Sequence, residues 1–448
     1  MKIGLVWECP WTPSSYGKLA LWTAYGLLKE GFSVRLYCPS MPEMSLYSRC
    51  VDYTVKCLHR SLGVCVDPGQ PLEVCHSAVA CNDRDVDVYI IGGTPFGRVE
   101  SKWVEQCSHS QKPVAGYFVT ETSIVQPMLA MWLAHVDAVA FPARAVAEAF
   151  LAHEPARELH KDWILAPHGL PDYYRTLTPD QILDYGLKAM DSGDAERLKP
   201  ALESRSEGSL YGTIAKDHPR KDYAALLSAF ALLKHKHPGR KLRLFLGLIK
   251  AVGAPMWNVD AIKATLGLAD DDILTLEPRL QETGITELGL LFAYSLLNAY
   301  ILATLGEGFG LPLVEAGSLG IPIVATRTPV IEELWEGYPL LAESKPIVVS
   351  EGFILYGTDY ADLASKMEVL LDENSWEKCS KRAKATASRY TLDRMVEGVV
   401  KLVELAEKKK GAKKPHPLEK YDATPTPAYK EKVIKTLYPQ AGTAKPKI

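Results

Sequence analysis

Glu307 and Glu315 frame the segment Glu307-Gly-Phe-Gly-Leu-Pro-Leu-Val-Glu315. An ionised carboxylate only accepts hydrogen bonds, and its two oxygens can grip a pair of sugar hydroxyls. The run before it, Tyr300–Thr304, reads as a strand. Pro312 stands where a helix begins, a position proline favours because its missing N–H costs nothing there. Gly308 and Gly310 permit unusual dihedrals and close backbone approach, and Gly320 is set to end a short helix. The loop therefore returns the chain so that both glutamates flank one ligand. Glu315 falls in the first turn, and the N–H groups at the helix start can meet a diphosphate. An acid that merely stabilises a helix dipole accounts for Glu315 alone, but not for the whole run.

A second set of residues lies in Tyr211-Gly-Thr-Ile-Ala-Lys-Asp-His-Pro-Arg-Lys-Asp-Tyr223. A strand ends, a polar loop holds Lys216, Arg220 and Lys221, and a helix follows. Cations at a strand end suit a diphosphate, which gathers charge as a sugar leaves; a solvated basic loop is the plainer alternative. A third loop, Glu8 to Lys18, follows the first strand. Gly17 opens the next helix with its N–H toward a cleft, and Trp11 and Tyr16 can stack on a sugar face or simply pack. In Gly116-Tyr-Phe-Val-Thr-Glu-Thr122, Glu121 is set to touch an acceptor or a sugar, with a helix cap at Thr122 or Ser123 as the competing reading. His168 reads as structural, and Glu332 and Glu333 as helix caps. Asp83-Arg-Asp85 and Asp85-Val-Asp87 read as a surface turn before a strand rather than a metal site.

These residues need elements to hold them at strand ends. Lys2–Trp7, Ser33–Cys38, Val86–Ile91, Pro113–Val119, Ala138–Phe141 and Trp163–Ala166 read as strands, with helical patterns between most of them. The alternation restarts after residue 208 with Ser209–Ile214, Lys241–Leu248, Asp272–Leu276, Tyr300–Thr304 and Ile321–Ala325. Repeated strand–helix–strand units imply mostly parallel sheets with helices on both faces. Two such α/β units face a cleft, and ligands sit at the carboxyl ends of the strands. Residues 41–85 break the rhythm. Residues 172–208 are charge-rich and read as a linker or small helical insertion. Beyond Lys410 the chain turns to lysine and proline, an extended, mobile or surface-draped tail.

The bulk numbers agree with a globular two-domain protein. The 448 residues exceed one ordinary core, and 47% hydrophobic with 23% charged residues is a soluble composition. A net charge of −3 gives no general pull toward nucleic acid or membrane. With no apolar run of membrane length and no signal-peptide pattern at Met1–Trp7, a cytoplasmic protein is the expectation. Nine cysteines, all but Cys379 between Cys9 and Cys107, include no Cys-x-x-Cys pair. Reduced, mostly buried thiols are the preferred reading, with disulfides among Cys50, Cys57, Cys65, Cys75 and Cys81 as the alternative.

The run Glu-Gly-Phe-Gly-Leu-Pro-x-x-Glu-Ala, followed by Gly-Ile-Pro-Ile-Val-Ala, resembles the Glu-x7-Glu signature of the GT-B fold retaining glycosyltransferases of family 4, the group of glycogen synthases and mannosyltransferases. The resemblance covers about residues 209–340 and reaches the first domain in architecture only. It implies two Rossmann-like domains, with a final helix at 391–411 crossing back to the first. The boundaries it suggests are 1–171 for the acceptor-side domain, 172–208 for the linker, 209–390 for the nucleotide-sugar domain and 412–448 for the basic tail.

The resemblance also implies roles. Glu307 would meet the hydroxyls of the donor sugar and Glu315 the ribose. The backbone of Phe309, Gly310 and Leu311 would lie along sugar and phosphate, and Lys221 would be the family's lysine. Thr213 stands where the family has arginine, so Lys216 or Arg220 would supply that charge. One glycine of the family's pair survives as Gly17, with Tyr16 in the other position. Thr120 and Glu121 replace a histidine common in relatives.

The expected activity is retaining hexosyl transfer from a UDP- or GDP-linked sugar, with no metal and no cofactor. Lys221, Glu307 and Glu121 are the expected catalytic set. The acceptor stays open among a sugar, a lipid-linked sugar, a protein and a small molecule. No nucleic-acid partner is expected, and the basic tail allows peripheral contact with an anionic membrane. A GT-B phosphorylase, a nucleotide-sugar epimerase and a non-catalytic sugar- or nucleotide-binding protein are the alternatives.

Overall fold

The structure, a computed structural model, describes residues 1–10, 12, 14–38, 50–53, 72–76, 80–189, 192–249, 257–276, 280–281, 285–413 and 423–439. Runs such as Val88-Tyr-Ile-Ile-Gly-Gly93 are buried on both faces, as strands inside a covered parallel sheet must be. The first sheet comprises β1 (Lys2–Val6), β2 (Ser33–Cys38), β3 (Cys50–Tyr53), β4 (Leu72–His76), β5 (Val88–Gly93), β6 (Val114–Phe118), β7 (Ala138–Phe141) and β8 (Ile164–Leu165). Their order is β3-β4-β2-β1-β5-β6-β7-β8, parallel apart from the β3–β4 pair. The second sheet comprises β9 (Leu210–Lys216), β10 (Arg243–Ile249), β11 (Ile273–Thr275), β12 (Ala299–Leu302), β13 (Ile323–Thr326) and β14 (Leu341–Ala342). It is parallel throughout, in the order β11-β10-β9-β12-β13-β14. In both sheets the first strand lies inside and its neighbours are added on either side, so a crevice opens at the switch point. An antiparallel hairpin, β15 (Ser344–Val348) and β16 (Ile354–Thr358), follows.

The two domains are joined by backbone hydrogen bonds between Leu170 and the segment 390–392. Leu170 N–H donates to Tyr390 O at 3.0 Å, and Leu392 N–H to Leu170 O at 2.9 Å. The helix Leu392–Lys408 then returns to the first domain, burying Leu392, Met395, Val396, Val399, Leu402, Val403 and Ala406 against its helix Ser15–Lys29 and strands β5–β8. This apolar stripe recurs every three to four residues, the period of a helix face. At about 1.5–3 kcal/mol for each fully buried large aliphatic side chain, it ties this helix to the first sheet. Gly26 permits the approach, because a Cβ there would stand 2.0 Å from Val396 Cγ2.

Of the two readings of residues 172–208 the helical insertion is the one found, and two other sequence expectations change. Residues 172–208 hold the helices Pro179–Ala189 and Ser192–Ser206. The first opens on a reciprocal cap: Gln181 N–H donates to Thr178 Oγ1 at 3.3 Å, and Thr178 N–H to Gln181 Oε1 at 2.9 Å. The basic tail is not wholly extended. Thr426 caps a helix, Pro427–Leu437, whose Tyr429, Val433 and Leu437 pack on Ile124, Ala152 and Ile354. Their spacing of four residues is the helical signal that the flanking prolines obscured. The thiols are not all reduced: Cys9–Cys38 and Cys81–Cys107 are disulfides, each with a Cα separation of 5.0 Å that suits a bridge. Cys75 is also disulfide-bonded, and Cys379 is free and buried.

Candidate active site

Two loops at the carboxyl ends of β9 and β12 are zipped together through their backbones. Leu305 N–H donates to Arg220 O at 2.7 Å, and Asp222 N–H to Ala303 O at 3.1 Å. Lys221 and Thr304 form an antiparallel bridge. The helix Tyr223–Lys236 starts immediately afterwards, capped by Asp222 accepting from Ala225 N–H at 3.1 Å. Arg220 and Lys221 are thereby pressed against Glu307.

Three donors converge on one oxygen. Lys221 Nζ contacts Glu307 Oε1, Arg220 Nη1 donates to it at 2.6 Å, and Thr304 Oγ1 at 2.9 Å. Glu307 is only 5% exposed. Burial alone would raise its pKa, but the charges of Arg220 and then Lys221 outweigh burial and hold it at about 2. Two cations share this one carboxylate, so the proton on Lys221 is the weakly held one. Burial and then the Arg220 charge bring Lys221 down to about 8, against the pull of Glu307. Arg220 also crosses the cleft, with its Nε 2.7 Å from Glu121 Oε1 on the first domain. Lys216 is exposed at the end of β9 and acts on Glu8 across the cleft. Thr213 is buried within β9, so of Lys216 and Arg220 it is Arg220 that reaches Glu307.

Gly310 takes φ +79°, in the left-handed region that favours glycine, and so turns the loop into the helix Leu311–Ser318. Phe309 is buried between His168 and Tyr390, at ring separations of 4.8 and 5.4 Å. His168 has its Nδ1 2.8 Å from Tyr117 Oη, and burial brings its pKa down to about 3, so it is a neutral packing group. Leu311 is buried at the first position of the helix. Gly320, at φ +78°, follows the helix end.

Glu315 lies in the second turn, not the first. It is 2% exposed, contacts Lys18 of the first domain through Oε1 and accepts from Tyr294 Oη at 2.7 Å through Oε2. Gly17 differs from expectation as well. The helix begins at Ser15, and the Gly17 N–H donates to its cap, Ser14 Oγ, at 3.0 Å rather than into the cleft. Its lack of a side chain serves packing, since a Cβ would stand 2.6–2.7 Å from the carbonyls of Thr12 and Cys9. Tyr16 stands on the cleft side, its phenol raised by burial and then by the Glu121 charge. Trp11 lies outside the described residues.

Glu333 accepts from the N–H groups of Arg144 and Ala145, at 2.9 and 2.7 Å, and so caps a helix of the opposite domain. Asp83 is engaged by Arg35 and by Tyr37 Oη at 2.8 Å. Sequence reasoning missed Lys18, Glu287 and Tyr294. A lysine beside Gly17 in the first turn of a helix was the available signal, but nothing local joins it to a residue 297 positions away.

Residues 210–373 match the family model of glycosyl transferases group 1. The serotype-specific mannosyltransferase WbdA of Escherichia coli is 31% identical over 146 residues, which are 32% of this chain and 16% of that relative. A D-inositol 3-phosphate glycosyltransferase of Corynebacterium kroppenstedtii is 26% identical over 214 residues, 44% of this chain and 42% of that relative. The chain thus spans less than half the length of these curated relatives. Among solved structures, Anabaena Alr3699/HepE in complex with UDP and glucose superposes over 90% of this chain and 99% of its own, with a TM-score of 0.61 at 14% identity. The chain therefore has the GT-B fold, and residues 210–373 of its second domain are similar to the glycosyl transferases group 1.

Proposed function

We propose that this protein transfers a hexosyl group from a nucleotide diphosphate sugar to an acceptor hydroxyl, with retention of anomeric configuration and without a metal. One observation carries the reading: Lys221, Arg220 and Glu307 meet at the ends of β9 and β12, facing the first domain. Glu307 Oε2 takes none of the three bonds that fix Oε1, so it is the oxygen for the donor sugar's hydroxyls. Lys221 and Arg220 are the cations for the diphosphate, a charge-neutralising task that a metal performs elsewhere. The bond from the anomeric carbon to the diphosphate oxygen breaks with its electron pair, and that pair stays on the phosphate. The acceptor oxygen bonds the anomeric carbon on the same face and passes its proton to the departing phosphate oxygen. This route requires no nucleophile from the chain. Glu121, tied to Arg220 from the acceptor side, aligns the acceptor with the donor. The UDP and glucose in the Anabaena complex support a nucleotide-sugar donor, with UDP- and GDP-linked sugars as the first candidates.

The test is Glu307→Gln, with unfolding followed alongside sugar transfer. The variant should remain folded, melt lower and lose transfer; full activity would sink the proposal. Incubating the wild-type protein with donor alone separates the chemical alternatives. Slow release of nucleoside diphosphate supports a transferase, and an epimerised donor overturns it.

A further inference from the structure

Lys18 belongs to the first domain, yet its ammonium lies between two carboxylates of the second. It contacts Glu315 Oε1 and stands 3.5 Å from Glu287 Oε2. Each carboxylate is pinned through its other oxygen. Tyr294 Oη donates to Glu315 Oε2 at 2.7 Å. Tyr173 and Tyr174 donate to Glu287 Oε1 at 3.0 and 2.6 Å. One flexible cation thus faces two fixed acceptors. Its stem runs past Trp22, with the ammonium 5.3 Å from the ring centroid.

We infer that Lys18 is a positioning residue with two seats, on Glu315 while the donor site is empty and on Glu287 once a nucleotide ribose takes Glu315. This inference rests on the donor reading given above. Glu315 is 2% exposed and its second oxygen is committed to Tyr294. A ribose hydroxyl that turns to the oxygen free of Tyr294 therefore competes there with Lys18. Expelling Lys18 into water would leave Glu287 without its cation, and a buried charge stripped of its partner is costly. Moving to Glu287 avoids that cost, and the four-carbon stem of lysine allows it. Burial works against the charge on Lys18, but Glu287 and Glu315 together raise its pKa above the usual lysine range, so it is a cation in either seat. Because the cation and the seats lie on different domains, the shift keeps the domains charge-linked while the site fills.

Binding of UDP and of GDP to the full chain, followed by calorimetry, tests this on three variants. Lys18→Met removes the competitor, so the nucleoside diphosphate should bind several-fold tighter and the donor KM should fall with kcat no higher. Glu287→Gln weakens the second seat, and binding should loosen several-fold. The double variant should bind like Lys18→Met alone, because the second seat has no purpose without its lysine. Thermal unfolding of each variant identifies any that fail to fold. The opposite signs of the two single effects are the readout that simple destabilisation does not produce. Weaker binding by a folded Lys18→Met protein would overturn the proposal by making Lys18 a direct ligand. Wild-type affinity in Glu287→Gln would overturn it too. Failure of both nucleotides to bind even the wild-type chain would instead remove the donor reading, and the two seats with it.

Discussion

Lys221 and Glu307 are 86 residues apart in sequence and meet because the bridge between Lys221 and Thr304 presses one strand-end loop onto the other. In the proposed function this ammonium is the charge for a leaving diphosphate, and its contact with Glu307 holds it at the strand ends. Replacing Lys221 by Met should lower kcat about 10²–10³-fold, the usual cost of removing one preorganised donor at developing negative charge. Arg220→Met should also raise the donor KM, because it releases both Glu307 and Glu121. Steady-state kinetics with varied donor separate the two. A Lys221→Met protein with wild-type kcat would remove Lys221 from the chemistry.

The same pair sets a pH dependence. Lys221 is held to about 8 in the folded protein, below its ordinary value of 10.5. A donor diphosphate needs the charged ammonium, so kcat/KM should fall as pH rises through about 8. Lys221→Arg keeps its charge at every working pH and should lose this alkaline limb even if its maximum rate is lower. Stability moves the other way. Between about 8 and 10.5 the unfolded chain holds a proton on Lys221 that the folded chain does not, so this group's contribution to stability rises with pH there. Glu307 contributes the converse at the acid end. Its folded pKa of about 2 lies below the ordinary 4.5, so its stabilisation is present above 4.5 and is lost as pH falls toward 2. An alkaline limb that survives in Lys221→Arg would reassign it to another group.

What could be read from sequence follows the range of the physics. The turn at Gly310 and the stop at Gly320 are local devices that stand in the folded chain where local sequence points, and Pro312 lies in the first turn, one residue after the helix start at Leu311. The alternation of apolar runs and helical patterns likewise sufficed for two parallel sheets. The partner of Glu315 was hidden because Lys18 lies 297 positions away on the other domain. The first-turn position expected of Glu315 failed because Gly310 caps the helix and Leu311 starts it, one full turn earlier than Glu315. The helical insertion at 172–208 was legible as such, and the cap between Thr178 and Gln181 sets the start of its helix Pro179–Ala189. The disulfide pairs depend on the order of β1, β2 and β5, and cysteine spacing does not contain that order.

The Cys9–Cys38 bridge fixes the segment after β1, which carries Glu8 and leads into the helix that bears Tyr16, to the end of β2. It closes a loop of sequence separation 29, for which chain entropy alone corresponds to about 3–4 kcal/mol. A Cys9→Ser, Cys38→Ser double variant should lose stability of that order in denaturant unfolding. It should also lose transfer before it unfolds, because the loop it frees borders the cleft. Activity that tracks the unfolding curve would limit the bridge to a purely structural role.

Gly306 offers the sharpest test of how closely the two domains must meet. A Cβ at this position would stand 2.2 Å from the carbonyl oxygen of Glu121. That neighbour is backbone of the opposite domain and cannot rotate away, so the loop must retreat. The same loop accepts from Arg220 Nη1 at the Gly306 carbonyl, at 3.2 Å. Gly306→Ala should therefore shift Arg220 and Glu307 together and cost about 1–3 kcal/mol, as overpacking of a tight site does. Transfer should fall by more than the loss of folded protein explains, because a displaced loop misaligns donor and acceptor. Gly239→Ala is the matched control, since nothing lies within 4 Å of a Cβ built there. A Gly306→Ala protein with the kcat of the Gly239→Ala control would mean that turnover does not require the close approach of Glu121 to the glutamate loop.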